Sequence, residues 1–131
     1  MRRTRMVLPL LLVMAALIAC ATFTQNTYKT LYSVGTAYDV AMKSVRDLKD
    51  MGKVTPEQEV EILKIANVYY SAYHAGVDAF ETYQITGAAE DKDKLAVALA
   101  DIASKLTKLV DYINRIRGGL ELQPLKIGGV E

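Results

Sequence analysis

Three polar residues of one segment have the types of a hydrolase triad: Ser71, His74 and Asp78. They stand at steps of three and four, so a helix puts them on one face. A nucleophile, a base and an orienting acid perform acyl transfer only beside an oxyanion hole and a substrate pocket. A convex helix face supplies neither, and this stripe is offset from the apolar seam of its own segment. His74, Asp78 and Glu81 share the same spacing and carry donors suited to zinc. The chain has one His and one Cys, so no second imidazole completes such a site. A di-iron bundle needs Glu-x-x-His pairs on two helices, and none is present. The expectation is a solvated face with a His74–Asp78 contact, and a protein with no catalytic residues, no metal and no cofactor.

The one cysteine is placed differently. Met1 to Arg5 is a short basic stretch, and Met6 to Ala19 is apolar apart from the break at Pro9. This is the order of a secretory signal, a positive region followed by an apolar one. The apolar run falls short of the ~20 residues that a bilayer-spanning helix needs. It ends in Leu17-Ile18-Ala19-Cys20.

That ending resembles the lipobox of bacterial lipoprotein precursors: an apolar residue, a tolerant position, a small residue, then cysteine. The resemblance covers residues 1–20. It implies cleavage before Cys20, a diacylglyceryl thioether on its sulfur, and usually acylation of the new amino group. Two or three chains hold a protein stably where one does not, since each buried CH₂ contributes ~0.8 kcal/mol. In many Gram-negative lipoproteins an Asp after the cysteine means retention in the inner membrane. Ala21 stands there instead, which favours the outer membrane. The expected location is thus the cell membrane or outer membrane, lipid-anchored, on the periplasmic or extracytoplasmic face.

Loss of residues 1–19 removes Arg2, Arg3 and Arg5 and no acidic residue. The 16 basic side chains fall by three to 13, against 15 acidic, a net of −2. Such a balance excludes nucleic acid as a partner, because that requires a clearly basic face. With one cysteine there is no intramolecular disulfide.

The mature chain predicts an all-α fold, an antiparallel three-helix bundle with left-handed, coiled-coil-like packing. The organisation expected is a signal peptide at 1–19, a lipidated tether at 20–25, helices at about 26–51, 56–86 and 90–117, and a flexible tail at 118–131. Gly52 closes the first helix. Thr55-Pro56-Glu57-Gln58 opens the second with a capping box and a proline at the first position. Gly87 ends it. Asp91 and Asp93 suit the start of the third helix, Arg115 and Arg117 its end, and Gly118-Gly119 is expected to stop it.

Apolar residues in all three segments alternate steps of three and four. The seams are Leu31, Val34, Tyr38, Ala41, Val45 and Leu48; then Ile62, Ala66, Tyr69, Tyr73, Gly76, Phe80 and Tyr83; then Leu95, Leu99, Ile102, Leu106, Leu109, Ile113 and Ile116. A 3.5-residue period implies left-handed supercoiling, and short loops imply antiparallel neighbours. Hairpins centred near residues 54 and 88 set the third helix beside the first at an offset of about 68. The layers expected are Leu31–Gly76–Leu99, Val34–Tyr73–Ile102, Tyr38–Tyr69–Leu106, Ala41–Ala66–Leu109 and Val45–Ile62–Ile113. Glycine inside a helix costs ~1 kcal/mol against alanine. Gly35 is therefore expected to make room for Tyr73, and Gly76 for Tyr32.

Four surface features bear on partners. Tyr28, Tyr32 and Tyr83 are candidates for an exposed aromatic docking patch. Leu63, Tyr70 and Val77 form a leftover stripe suited to self-association. Lys43 and Arg46 beside Asp47 and Asp50, and Asp111 beside Arg115, are expected surface ion pairs of small effect. The Ala41–Ala66 layer is where a cavity could lie. The function expected is a membrane-tethered interaction or structural module that binds an envelope protein and performs no catalysis. Two alternatives are a carrier holding a small apolar ligand or lipid in the bundle core, and, by analogy, an accessory lipoprotein encoded by a phage or prophage.

Overall fold

A computed structural model describes the backbone of residues 2–127 and the side chains of residues 21–127. Three helices follow in order: α1 Arg2–Asp50, α2 Pro56–Thr86 and α3 Ala89–Gly119. Among the described residues there is no strand, and no helix is long and apolar enough to cross a membrane. The chain divides into two compact units, residues 1–30 and 31–131.

The first unit consists of the first part of α1. Residues 20–25, expected to be a tether outside the bundle helices, are helical. No glycine or proline stands between Leu10 and Val34, so nothing interrupts the run of backbone hydrogen bonds. The side chains of Leu17, Ile18, Ala19 and Cys20, the proposed lipobox, lie outside the described residues.

The second unit is a three-helix bundle. Gly52 ends α1 in the left-handed conformation, φ 67°. Its N–H donates to the Lys49 carbonyl (2.9 Å), and Lys53 N–H donates to that of Leu48 (2.8 Å). This paired closure uses carbonyls that a helix end leaves free. Thr55 caps α2 and Gln58 returns the bond, completing the capping box, and Pro56 stands in the first turn. Lys49 pairs with Glu59 across this loop. At the other end Gly87 turns left-handed and donates to the Tyr83 carbonyl at 2.8 Å. Ala88 has no capping side chain. Thr86 Oγ1 accepts from Ala88 N–H (3.2 Å) and donates to Asp91 (2.5 Å).

The 3-4 seams form the core. Most of their residues are buried, and Tyr38, Tyr73 and Leu99 are half-buried. Ala41, Val45, Leu48, Ile62, Ala66, Leu109, Ile113 and Ile116 make one cluster contributed by all three helices. Tyr69 reaches Val34 and Tyr73 reaches Leu31, so α2 runs antiparallel to α1 as its short loop requires.

The register differs from the expected one in α3. Gly76 faces Ile102 and Leu31, so Ile102 takes the place expected for Leu99. Val34 lines a cleft with Leu106, and Arg117 bonds to Ser44. These pairs are 71, 72 and 73 residues apart. Small errors in the two loop centres add to one step along the α3 seam. Gly76 accordingly makes room for Ile102. Tyr32, its expected partner, is 69% exposed. Gly35 does face Tyr73, whose Oη would stand 3.4 Å from an added Cβ.

The C-terminal segment also differs from expectation. Gly118 and Gly119 remain helical, and the reversal falls at Leu120–Glu121, where Glu121 has φ 58°. Leu122 N–H donates to the Arg117 carbonyl at 2.9 Å. Leu120 and Leu125 then pack against the core cluster. Within the segment expected as a flexible tail, residues 120–127 thus contact the bundle, where spaced apolar side chains find cover.

Two glycines of similar sequence context should therefore respond oppositely to alanine. Gly35→Ala gains up to ~1 kcal/mol of helix propensity at an ordinary contact. Gly76→Ala drives a methyl into fully buried Ile102, and overpacking costs ~1–3 kcal/mol. Urea unfolding midpoints should rise or hold for the first and fall for the second. Adding Ile102→Val to Gly76→Ala should recover part of the loss.

Candidate functional site

Tyr38 of α1 and Tyr69 and Tyr73 of α2 meet where these two helices pack. Tyr38 and Tyr69 stack with centroids 4.5 Å apart and planes 9° apart. Tyr73 lies 6.0 Å from Tyr69. Tyr69 is buried at 2% exposure, and its hydroxyl donates to the Val34 carbonyl at 3.0 Å. Tyr73 donates to the Leu31 carbonyl over 3.4 Å. Both acceptors are helix carbonyls using a second lone pair. Burial, then Tyr73, Tyr38 and Asp39, push the Tyr69 phenol well above its ordinary value near 10. Tyr38 is raised by burial, Asp39 and Tyr70. Phenols held neutral in this way lock α1 to α2 and are poor proton carriers.

The Ser71, His74 and Asp78 side chains are all exposed on α2. The expected His74–Asp78 contact does not form. His74 instead packs edge-on against Tyr70, centroids 4.4 Å apart, because the adjacent ring offers an apolar surface. Among the described residues no three His, Cys, Asp or Glu side chains could hold a metal ion. Glu81 is exposed as well.

The expected aromatic patch is not a patch of three. Tyr28 and Tyr32 are 64% and 69% exposed, but Tyr83 is only 5% exposed, since it continues the α2 seam one step beyond Phe80. In the Leu63–Tyr70–Val77 stripe, Leu63 and Tyr70 are half exposed and Val77 is partly covered. Ala41 and Ala66, the layer where a cavity was expected, are buried members of the core cluster. The ion pairs within helices among the described residues are Glu61–Lys64, Glu90–Lys94, Asp91–Lys94 and Asp101–Lys105, each with the acid N-terminal, the order that the helix dipole favours. The pairs expected for Asp47, Asp50 and Asp111 are not among them.

The best-built polar constellation outside the tyrosines lies at the end of α3, and the sequence reading missed it. Arg117 donates from Nη1 to Ser44 Oγ of α1 (3.0 Å) and from Nε to the Gln123 carbonyl (2.8 Å). One turn earlier, Asn114 Oδ1 accepts from Leu125 N–H at 2.8 Å. Ser44 is 7% exposed. One signal was available: Ser44 stands beside the seam residue Val45, three residues from Ala41 and four from Leu48, where a buried polar group needs a partner.

No family model, curated protein or solved structure matches the chain.

Tyr69→Phe removes one hydrogen bond and leaves the Val34 carbonyl its helical partner, so it should lose only about 1 kcal/mol. Tyr69→Ala should lose ~3–5 kcal/mol through the cavity. The raised phenol pKa stabilises the fold fully below about pH 10, the unfolded value. That stability falls as pH rises further, because the unfolded chain releases the proton first. Tyr69→Phe should therefore flatten the alkaline limb of stability against pH, read as urea midpoints between about pH 9 and 11.

Proposed function

We propose that the protein is a lipid-anchored helical module of a bacterial envelope, held at the membrane through Cys20, that engages a protein partner and performs no catalysis. The observation that carries this is the position of Cys20. The sole sulfhydryl follows a basic stretch and an apolar run directly, in the order Leu17-Ile18-Ala19-Cys20. A signal of that form delivers a protein to lipidation, and two or more acyl chains keep it at the membrane. Interaction is favoured over chemistry by where polar groups stand. The seam residues are spent on packing, the triad-like residues face solvent, and the α3 constellation binds backbone. Ala21 points to the outer membrane within the lipobox resemblance. The half-exposed Leu63 and Tyr70 suit self-association of tethered copies.

Expression in a bacterium followed by mass spectrometry tests the anchor. The N-terminal peptide should begin at Cys20 and carry fatty acyl mass. Cys20→Ser should remove that mass and shift the protein out of the membrane fraction. An intact leader with an unmodified thiol would overturn the proposal.

A further inference from the structure

One stripe of α2 is acidic at its start and basic further on. Glu57, Val60, Glu61, Lys64 and Val68 stand at i, i+3, i+4, i+7 and i+11, so a single helix face carries them all. Glu57, Val60, Lys64 and Val68 are exposed and Glu61 is partly so. Lys64 is the only lysine or arginine of α2, against the five carboxylates of Glu57, Glu59, Glu61, Asp78 and Glu81.

Beside this stripe, a cleft of about 180 Å³ opens between α2 and α3. Ile65 and Val68 line it together with Lys64, Lys105 and Lys108. Three ammonium groups of like sign thus surround one apolar opening, where they repel one another. Two have an acid at hand: Glu61 lies 4.0 Å from Lys64, and Asp101 lies 3.6 Å from Lys105. Lys108 and Glu57 form no ion pair among the described residues. Local conflicts of this kind are expected where a surface is made to meet something else.

The acidic start of the stripe complements the cleft. When α2 of a second copy lies antiparallel against it about a two-fold axis, Glu61 meets Lys64, Val60 meets Ile65 and Glu57 meets Val68, and each pair occurs twice. Glu57 of the second copy then stands beside Lys108, which shares the cleft with Val68. Val60 covers the apolar floor. A purely acidic partner would answer the lysines but repel Glu57 and Glu61, whereas a second copy answers both signs.

We propose that this face of α2 is a self-association surface: two copies pack α2 against α2 antiparallel, and Val60 of each enters the Lys64–Lys105–Lys108 cleft of the other. This deepens the interaction-module reading and rests on it. The face lies about a third of a turn around α2 from Leu63 and Tyr70. The contact is small and charged at its rim, so it is weak and sensitive to salt.

The test is sedimentation equilibrium of the full chain in detergent, with micelles in excess. The unaltered chain should form a concentration-dependent dimer at about 0.01 M salt, at least tenfold weaker at about 0.15 M. Glu57→Lys with Glu61→Lys should be monomeric, and so should Lys64→Glu with Lys108→Glu. An equimolar mixture of these two variants should form a heterodimer. Val60→Ser should weaken the unaltered dimer about tenfold without changing any charge. A chain that stays monomeric at every concentration would overturn the proposal. So would a dimer indifferent to both charge reversals, or a mixture that fails to associate while each variant keeps its helical circular dichroism. A dimer dissolved by Leu63→Ser with Tyr70→Ser, and not by the charge reversals, would place the contact on another face and equally overturn it. Association in detergent does not require acylation of Cys20, so failure of the anchor and failure of this surface are separate results.

Discussion

The seating of Ile102 against Gly76 governs the arrangement of the bundle. A backbone without a Cβ at that place in α2 leaves a notch, and a fully buried isoleucine of α3 occupies it beside Leu31. Helices packed at native density tolerate few vacancies, so the longest complementary knob sets how far α3 slides. That slide is one seam step from the alignment that loop lengths alone suggest. Its effect is felt at the other end of α3. It brings Arg117 level with Ser44 of α1. The C-terminal segment is fastened by that arginine and by Asn114 one turn before it.

The tyrosines do a second kind of work. Tyr38 and Tyr69 stack, and Tyr69 and Tyr73 reach helix carbonyls of α1. A ring supplies apolar area, and its hydroxyl needs a partner when buried. A helix carbonyl with a free lone pair is the partner nearest at hand between tightly packed helices. Gly35 permits the Tyr73 ring to approach. Among the described residues no buried side-chain polar atom lacks a hydrogen bond. The core is therefore committed to holding its own helices together.

A module of this kind divides its tasks by position. The proposed attachment belongs to Cys20 and the residues before it. The bundle of residues 31–119 supplies a rigid frame in which apolar seams and capped ends agree with one another. Residues 120–127 are held to it by Arg117 and Asn114.

Element type and end points were legible in the sequence where local chemistry decides them. The Thr55–Gln58 capping box, the glycine terminators at 52 and 87 and the 3-4 seams each act within a few residues, and each appears where the spacing placed it. The register of α1 against α2 was legible too, because one short loop sets it. What escaped was decided between distant residues. The α3 offset depends on how Ile102 fits a notch in another helix, and the burial of Tyr83 and exposure of Tyr32 follow from faces that meet only in the assembled bundle. Residues 118–131 read as a tail because glycines and a proline signal no regular element. Their described part is held by Arg117, Asn114 and the apolar cover of the core, none of which is a neighbour in a linear reading. By itself the sequence determined the three helices and the turns at Gly52 and Gly87. Only the tertiary structure decided the alignment of α3 and the seating of residues 120–127, since packing free energy depends on which surfaces meet.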